Sequence, residues 1–297
     1  MKIAVITGGN SSEREVALAS LDGVRKALKG KLELFVYDFP KDMDRFLTDR
    51  ETIDAVIPVM HGRGGEDGQL QGFLETLSVP YIFSGIGAHA IAIDKALTKH
   101  IVRELGMNTP DYRVLAKGDS TTFEHSIVVK AIHEGSSKGV VIVKTKDELE
   151  GALQKAFSFS GRVLLEDFVQ GREFTVGIIE ENGQAVALPV SEIIVKDGFF
   201  DYEHKYDEKN LAEEICPAEI NDDLRLALQE EALKAHLAIG ARHLSRSDFI
   251  VDSSGTLWFL EINTIPGMTA TSFIPKMIKE SGRDFGSLLV KWLEELL

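Results

Sequence analysis

The chain has 297 residues, 44% of them apolar and 27% charged, the balance of a soluble globular protein of two or three domains. Its 33 basic and 47 acidic side chains leave a net charge of −14, a field that repels nucleic acid and anionic membranes. No apolar run approaches the roughly 18 residues of a membrane span, and the one cysteine, Cys216, excludes an internal disulfide and fits a reducing compartment. The opening MKIAVITGGN is too briefly apolar for a secretory signal, so it reads as a buried strand and a cytoplasmic location is expected.

In chain order, residues 2–7 read as a strand and 13–28 as a helix with Val16, Ala17, Leu21, Val24 and Leu28 on one face. Strands follow at 32–39 and 55–60, with a short helix over 42–47 between them. A helix over 69–77 leads to a strand at 81–83. This βαβ series predicts a parallel sheet with helices on its faces. Ligands of such sheets bind beyond the carboxyl ends of the strands, where TGGNSSERE (7–15) and HGRGGEDG (61–68) lie. A helix over 88–105 follows, and Pro110 closes the unit. Strands at 127–132 and 140–143 then flank KAIHEGSSKGV (130–140), with a helix over 147–157 and a strand over 162–169. A hairpin joins 174–180 to 185–195 across Glu181-Asn182-Gly183. Residues 196–217 form a long polar loop with Phe199, Phe200, Tyr202 and Tyr206, the composition of a lid. A helix over 222–239, a hairpin of 247–251 with 257–263, and two further helices complete the chain.

The Gly/Ser loop is not the usual phosphate loop. Counted from Gly135, the second glycine of G-x-x-x-x-G-K-[ST] falls on Val140. Backbone N–H groups and hydroxyls over 135–139 can still ring an anion, and Lys130 ends an apolar strand directly before them. An ordinary hairpin tip is the plainer alternative. Lys95 opens I-D-K-A-L-T-K on a helix, and Lys205 lies in the long loop.

RSDFIVDSSGTLWFLEIN (246–263) carries the most chemistry. Strand alternation puts Arg246 with Asp248, and Glu261 with Asn263, on common faces. A two-residue turn at Ser254-Gly255, or a four-residue loop over 253–256, sets Asp248 opposite Glu261 and Arg246 opposite Asn263, about 5 Å apart. A three-residue loop breaks that register. Like charges so close need a bridging cation, and Asp248, Glu261 and Asn263 offer the oxygen donors that suit Mg²⁺ beside phosphate. A solvated strand face is the alternative. Against it stand the neighbouring Arg246 and the tail NTIPGMTATS, which bends the chain immediately past the site.

Nine blocks share their order with one family: GGNSSEREV (8–16), HGRGGEDGQLQGFLE (61–75), IDKALTK (93–99), VVKAIHEGSSKGV (128–140), LLEDFVQGREFTV (164–176), FFDYEHKY (199–206), CPA (216–218), SRSDF (245–249) and EINTIPGMTATS (261–272). Over nearly the whole chain the sequence resembles the D-alanine–D-alanine ligases of the ATP-grasp superfamily. The resemblance implies an α/β fold, α+β in its ATP-binding part. Residues 1–87 would be a Rossmann-like, substrate-binding parallel βαβ domain. A two-subdomain ATP-grasp fold would follow, central over 88–169 with the Gly/Ser loop and C-terminal over 170–297 with the lid and metal hairpin. It also implies D-alanine and ATP as substrates, two Mg²⁺ ions with Mn²⁺ as a substitute, and a homodimer.

By the same resemblance, Glu13 would hold the ammonium of the first D-alanine, and His61 would lie near its carboxylate. Lys95 and Lys130 would contact ATP phosphates. Ser136 would help close the site against Tyr206. Glu166, Asp167, Phe168 and Val169 would meet adenine, mostly through backbone, and Glu173 would bind ribose. Lys205 would reach the γ-phosphate, and Arg246 would stabilise the transferring phosphoryl group and later oxyanion. Asp248, Glu261 and Asn263 would hold the two Mg²⁺, Gly267 would offer its N–H to the tetrahedral oxygen, and Ser272 would bind the second carboxylate.

Several positions depart from the family pattern. Ala131 stands for a usual Pro, His204 for Ala and Asp167 for Lys, and Ile82-Phe83 is bulkier than Thr-Gly. None of these removes a proposed ligand. A D-alanine–D-lactate or D-serine ligase, or another ATP-grasp carboxylate–amine ligase, is the near alternative. Lys205-Tyr206 favours an amine acceptor, and the ERE and HGRGGEDG loops favour this family over other ligases of the fold. An idle nucleotide-binding regulator is the distant alternative, and every charged group that transfer needs is present.

Overall fold

The run KIAVITG forms β1 (Lys2–Gly8) at the centre of a parallel sheet of order β2-β1-β3, with β2 at Glu33–Phe39 and β3 at Ala55–Pro58. Ile3, Ala4, Val5 and Ile6 are all fully buried, as expected of a parallel strand covered on both faces. Helix α1 (Arg14–Ala27) packs Leu21 and Val24 against Ile3 and Val5. Helices α2 (Met43–Asp49) and α3 (Gln69–Thr76) pack Phe46, Leu70 and Leu74 against Ala4 and Ile6 on the other face. The computed structural model describes residues 1–194 and 213–297.

Two expectations change in the next segment. The strand at 81–83 reduces to one parallel bridge, Val56 with Tyr81. Phe83 turns away at φ 73° and gives its N–H to Nδ1 of His243, 2.8 Å, instead of to a strand. The helix over 88–105 divides into α4 (Ile86–Ile93) and α5 (Lys95–Glu104). Asp94 between them is extended, and its carboxylate accepts the Leu97 N–H at 3.0 Å, the behaviour of an N-cap. Lys95 is thereby the first residue of a new helix.

The central sheet, order β4-β7-β5-β6, is antiparallel throughout: β4 Tyr112–Ala116, β5 Ile127–Ala131, β6 Val141–Val143 and β7 Arg162–Asp167. Helix α6 (Leu149–Phe157) covers it through Leu149, Ala152 and Ala156. The expected hairpin around KAIHEGSSKGV is present as β5 with β6, Val129 facing Val141.

The C-terminal sheet runs β11-β10-β8-β12-β13, with β9 also on β8. Its strands are β8 Gly171–Glu181, β9 Gln184–Ala187, β10 Ser191–Ile194, β11 Glu213–Ile215, β12 Leu244–Asp252 and β13 Leu257–Asn263. The expected strand over 185–195 is thus two strands. The first joins β8 through an Asn182-Gly183 turn with both residues at positive φ, the conformation such hairpins favour. Helix α7 (Asp222–Ala238) packs Leu228, Ala232 and Ala235 on this sheet together with Ala88, Ala92 and Val102 of α4 and α5. Helices α8 (Phe273–Glu280) and α9 (Phe285–Glu294) return to the first sheet, where Ile274, Met277, Leu289 and Trp292 share one core with Ile3 and Val5. Among the described residues no helix is long and apolar enough to cross a membrane.

Candidate active site

The acidic hairpin reaches the expected pairing by another route. Its turn is a three-residue loop: Asp252 N–H donates to Thr256 O at 3.1 Å, Gly255 N–H to Asp252 O at 3.0 Å, and Gly255 has φ 85°. Val251 therefore faces Leu257, and Phe249 faces Phe259, one step out of the expected register. A bulge between Asp248 and Phe249, with Leu260 as the extra residue, restores it. Asp248 then faces Glu261, and Arg246 faces Asn263. Bulges commonly re-aim side chains beside sites in this way.

On that face Arg246 grips Asp248 with two bonds, Nε to Oδ1 and Nη2 to Oδ2, each 2.9 Å. Thr175, opposite Asp248 on β8, adds a hydroxyl donor to Oδ1 at 2.6 Å. Burial opposes the guanidinium charge, but the Asp248, Glu261 and Glu66 carboxylates outweigh it and raise the Arg246 pKa. Lys95 lies 3.2 Å from Glu261 Oε2 and donates to the Glu134 carbonyl at 2.7 Å. Burial pulls its pKa down, and Glu261 more than compensates.

A second ionic group lies deeper. Glu166 is 1% exposed, and each of its oxygens is held by one ammonium, Lys99 on Oε1 and Lys130 on Oε2. Burial raises the carboxyl pKa, but Lys130 and Lys99 overcome it and keep it below the usual value. The cleft beside this group, about 60 Å³, lies between the central and C-terminal sheets. Lys130, Glu166, Asp167, Phe168, Val169 and Glu173 line it. The side chain of Asp167 pairs with His125 at 2.7 Å.

The far end of the site belongs to the N-terminal sheet. Glu13 is buried just before α1, and Ser136 donates its hydroxyl to the Glu13 carboxylate. Burial first, then the Glu66 charge, raises the Glu13 pKa. Gly62 and Gly135 make room for this carboxylate: a Cβ on either would come within 2.7 Å of Oε2. His61 Nε2 bonds Ser20 Oγ at 2.9 Å, and Ser20 Oγ accepts the Met268 N–H at 3.2 Å, which ties the NTIPGMTATS loop to the site. Burial lowers the His61 pKa, but Glu66, 3.9 Å away, and Glu13 outweigh it and the net shift is upward. The Gly/Ser loop is docked here too. Ser12 Oγ donates to Glu134 at 3.0 Å, and Lys138 bonds the Ser12 carbonyl. Ser272 Oγ accepts the Thr269 N–H at 3.1 Å, and a Cβ at Gly267 would sit 2.9 Å from it.

One cavity of about 460 Å³ is lined by Glu13, His61, Lys95, Lys130, Ser136, Glu173, Arg246, Asp248, Glu261, Asn263, Gly267 and Ser272. Lys205 and Tyr206 lie outside the described residues. Sequence reasoning passed over Lys99, Glu66, Ser20 and Thr175. Lys99 had a signal: it stands four residues after Lys95 in IDKALTK, hence on the same helix face.

Asp248, Glu261 and Asn263 fit a hard divalent cation. Two opposed carboxylates and an amide oxygen match the donors that Mg²⁺ uses beside phosphate. Arg246 and Lys95 already pair with the two carboxylates, so the fit rests on the oxygen-donor chemistry of the set, the Asn263 amide oxygen being the third ligand. The described residues contain no cluster of three His, Cys, Asp or Glu that could hold a metal ion.

Two antiparallel sheets facing across a cleft, with Lys130 on one and the acidic hairpin on the other, have the arrangement of the ATP-grasp fold. Comparison with known proteins narrows this. The family described as D-ala D-ala ligase C-terminus matches residues 101–294, and the D-ala D-ala ligase N-terminus family matches residues 41–84. The D-alanine–D-alanine ligase of Desulfotalea psychrophila is 42% identical over 305 residues, covering 99% of this chain and 94% of that protein. The Bacillus anthracis D-alanine–D-alanine ligase complexed with ATP superposes with a TM-score of 0.84 at 31% identity, over 100% of this chain and 97% of that one. The D-Ala:D-Ser ligase of Enterococcus faecalis superposes with a TM-score of 0.83 at 28% identity, over 100% and 99%. The chain belongs to the D-alanine–D-alanine ligase family.

Proposed function

We propose that this chain joins two D-alanine molecules into D-alanyl-D-alanine at the expense of ATP, through an acyl phosphate, as a step in supplying peptidoglycan precursors. The observation that carries the reading is a single cavity joining the Arg246–Asp248–Glu261–Asn263 face to Glu13 and His61. Glu13 takes the ammonium of the first D-alanine, and His61 lies by its carboxylate. That carboxylate attacks the γ-phosphorus, and ADP leaves. Alignment and charge neutralisation dominate such transfers, and Lys95, Lys130, Lys205 and Arg246 supply cations for them. Glu166 to Val169 and Glu173 would hold adenine and ribose. Asp248, Glu261 and Asn263 would hold the Mg²⁺ ions, with Mn²⁺ as a substitute, which would neutralise phosphate charge.

The free amine of the second D-alanine, its carboxylate at Ser272, then attacks the acyl carbon. The C–O bond to phosphate breaks, and the amine proton is released. The oxyanion formed on the way faces Arg246 and the Gly267 N–H. Acyl phosphates hydrolyse, so water must be excluded. Ser136, already on Glu13, together with Tyr206, would close that end.

The deciding assay offers D-alanine, L-alanine, D-serine and D-lactate singly and in pairs, with ADP and phosphate release as the readout. Release that depends on D-alanine alone supports the reading, and its absence ends it. Preference for D-serine or D-lactate as the second substrate would move the chain to the neighbouring specificity. Arg246→Ala is expected to lower kcat by about a hundredfold or more. The reading includes a cytoplasmic homodimer, which light scattering and fractionation test.

A further inference from the structure

We propose that Lys99 is a positioning residue of the nucleotide cleft, fixing the Glu166 carboxylate and, through it, the ammonium of Lys130. The inference rests on the ATP reading above and adds to it a residue that lines neither the cleft nor the main cavity.

Lys99 is fully buried. Its ammonium donates to Thr109 Oγ1 at 2.6 Å and the Phe259 carbonyl at 3.3 Å, and it pairs with Glu166 Oε1. Thr109 Oγ1 in turn donates to the same Phe259 carbonyl at 2.8 Å. The ammonium therefore joins β13 of one sheet to β7 of the other, at the seam where the cleft lies. Lys95 and Lys99 stand about 6 Å apart along α5, four residues and one face. Lys95 holds Glu261 on β13 and Lys99 holds Glu166 on β7, so one helix sets both acidic walls.

Charge gives this anchor its use. Lys130 against Glu166 alone is a neutral pair and attracts an anion weakly. The second ammonium leaves the group with one net positive charge, expressed at Lys130, the member that faces both cavities. Replacing a whole buried ionic group by apolar side chains is often neutral, whereas removing one partner destabilises, so the variants are read in folded protein only. Burial has lowered the Lys99 pKa to about 8, which marks how costly that ammonium is to keep.

The test is steady-state kinetics of Lys99→Met and Lys99→Arg in the full chain. Lys99→Met is expected to raise KM for ATP about tenfold while kcat at saturating ATP falls less than about threefold and KM for D-alanine moves less than about twofold. Lys99→Arg, keeping the charge, is expected to restore KM for ATP to within about threefold of the wild type. An unchanged KM for ATP in folded Lys99→Met overturns the proposal. So does a general impairment, both KM values raised and kcat lowered alike, the mark of a merely structural residue. If Lys99→Met does not fold, Thr109→Val decides. It removes one acceptor and keeps the ion pair, so a selective rise of about threefold in KM for ATP is expected, and no rise overturns the proposal. Wild-type protein that turns over no ATP with any of the offered acids would sink the ATP reading instead.

Discussion

Glu13 shows how much a single buried carboxylate constrains its surroundings. It needs glycine at 62 and 135 for space, and it takes a hydroxyl from Ser136 across 123 residues of sequence. Burial and the Glu66 charge hold its pKa above the usual value of 4.5, so its proton is lost late. Only the ionised form attracts a substrate ammonium. The profile of kcat/KM for D-alanine is therefore expected to fall on the acid side through a pKa above 4.5. Glu13→Gln should abolish that limb with most of the activity, and a limb unchanged in Glu13→Gln would assign it elsewhere. Gly135→Ala tests the space itself: its Cβ would press on both Glu13 oxygens, at 2.7 and 2.9 Å. A loss of about tenfold or more in kcat/KM for D-alanine is expected, with KM for ATP little changed.

At the scale of elements, the acidic hairpin shows what alternation can and cannot reveal. Period-two patterning put Arg246 with Asp248, and Glu261 with Asn263, on common faces, but the pairing across the strands depended on the turn, and only the bulge brings Asp248 opposite Glu261 despite the three-residue loop. The turn was not legible. SSG fits two-, three- and four-residue loops alike, and the compensating bulge at Leu260 has no local signature, since Leu is ordinary in a strand. The same limit applies to α4 and α5. Apolar periodicity runs through 88–105 without interruption, and only the Asp94 side chain, capping Leu97, breaks it. The first sheet was legible because its strands are buried on both faces and read as unbroken apolar runs. Lys99 was legible only as a second lysine four residues after Lys95, because its importance comes from Glu166, 67 residues further along the chain on β7. Asp94→Ala tests the helix break. It should cost about 1 kcal/mol in urea unfolding, the usual value of a lost cap. It should also raise KM for ATP, since Lys95 begins the helix that the cap secures. A KM unchanged despite lower stability would separate the cap from the site.

Across the whole molecule, the chain closes on itself. Lys31 pairs with Asp284, whose carboxylate also caps α9 by accepting the Ser287 N–H at 2.8 Å, and its pKa falls to about 2. Asp252, holding the hairpin turn through Ser254, Trp258 and Thr256, likewise falls to about 2. Both pKa values are depressed on folding, so their contributions are present above the ordinary carboxylate value of 3.8 and are lost as pH falls from there toward 2. Unfolding midpoints should accordingly decline over that window, and Asp284→Asn should flatten the decline. The same closure governs cooperativity. Trp292, fully buried on α9, stacks on His243 with ring centres 5.5 Å apart and donates its indole N–H to Glu180 O at 2.8 Å. Its core also includes Ile3 and Val5 of the first sheet and Ile179 and Leu244 of the C-terminal sheet. Two sheets that share one core should melt together. Trp292→Ala is expected to cost roughly 3–5 kcal/mol by opening a cavity at that junction. In that variant Trp258, in the C-terminal sheet, reports the transition alone, and its fluorescence midpoint should coincide with that of far-UV circular dichroism, as the combined fluorescence of both tryptophans should in the wild type. Two separated transitions in the wild type would show that the shared core does not couple the sheets.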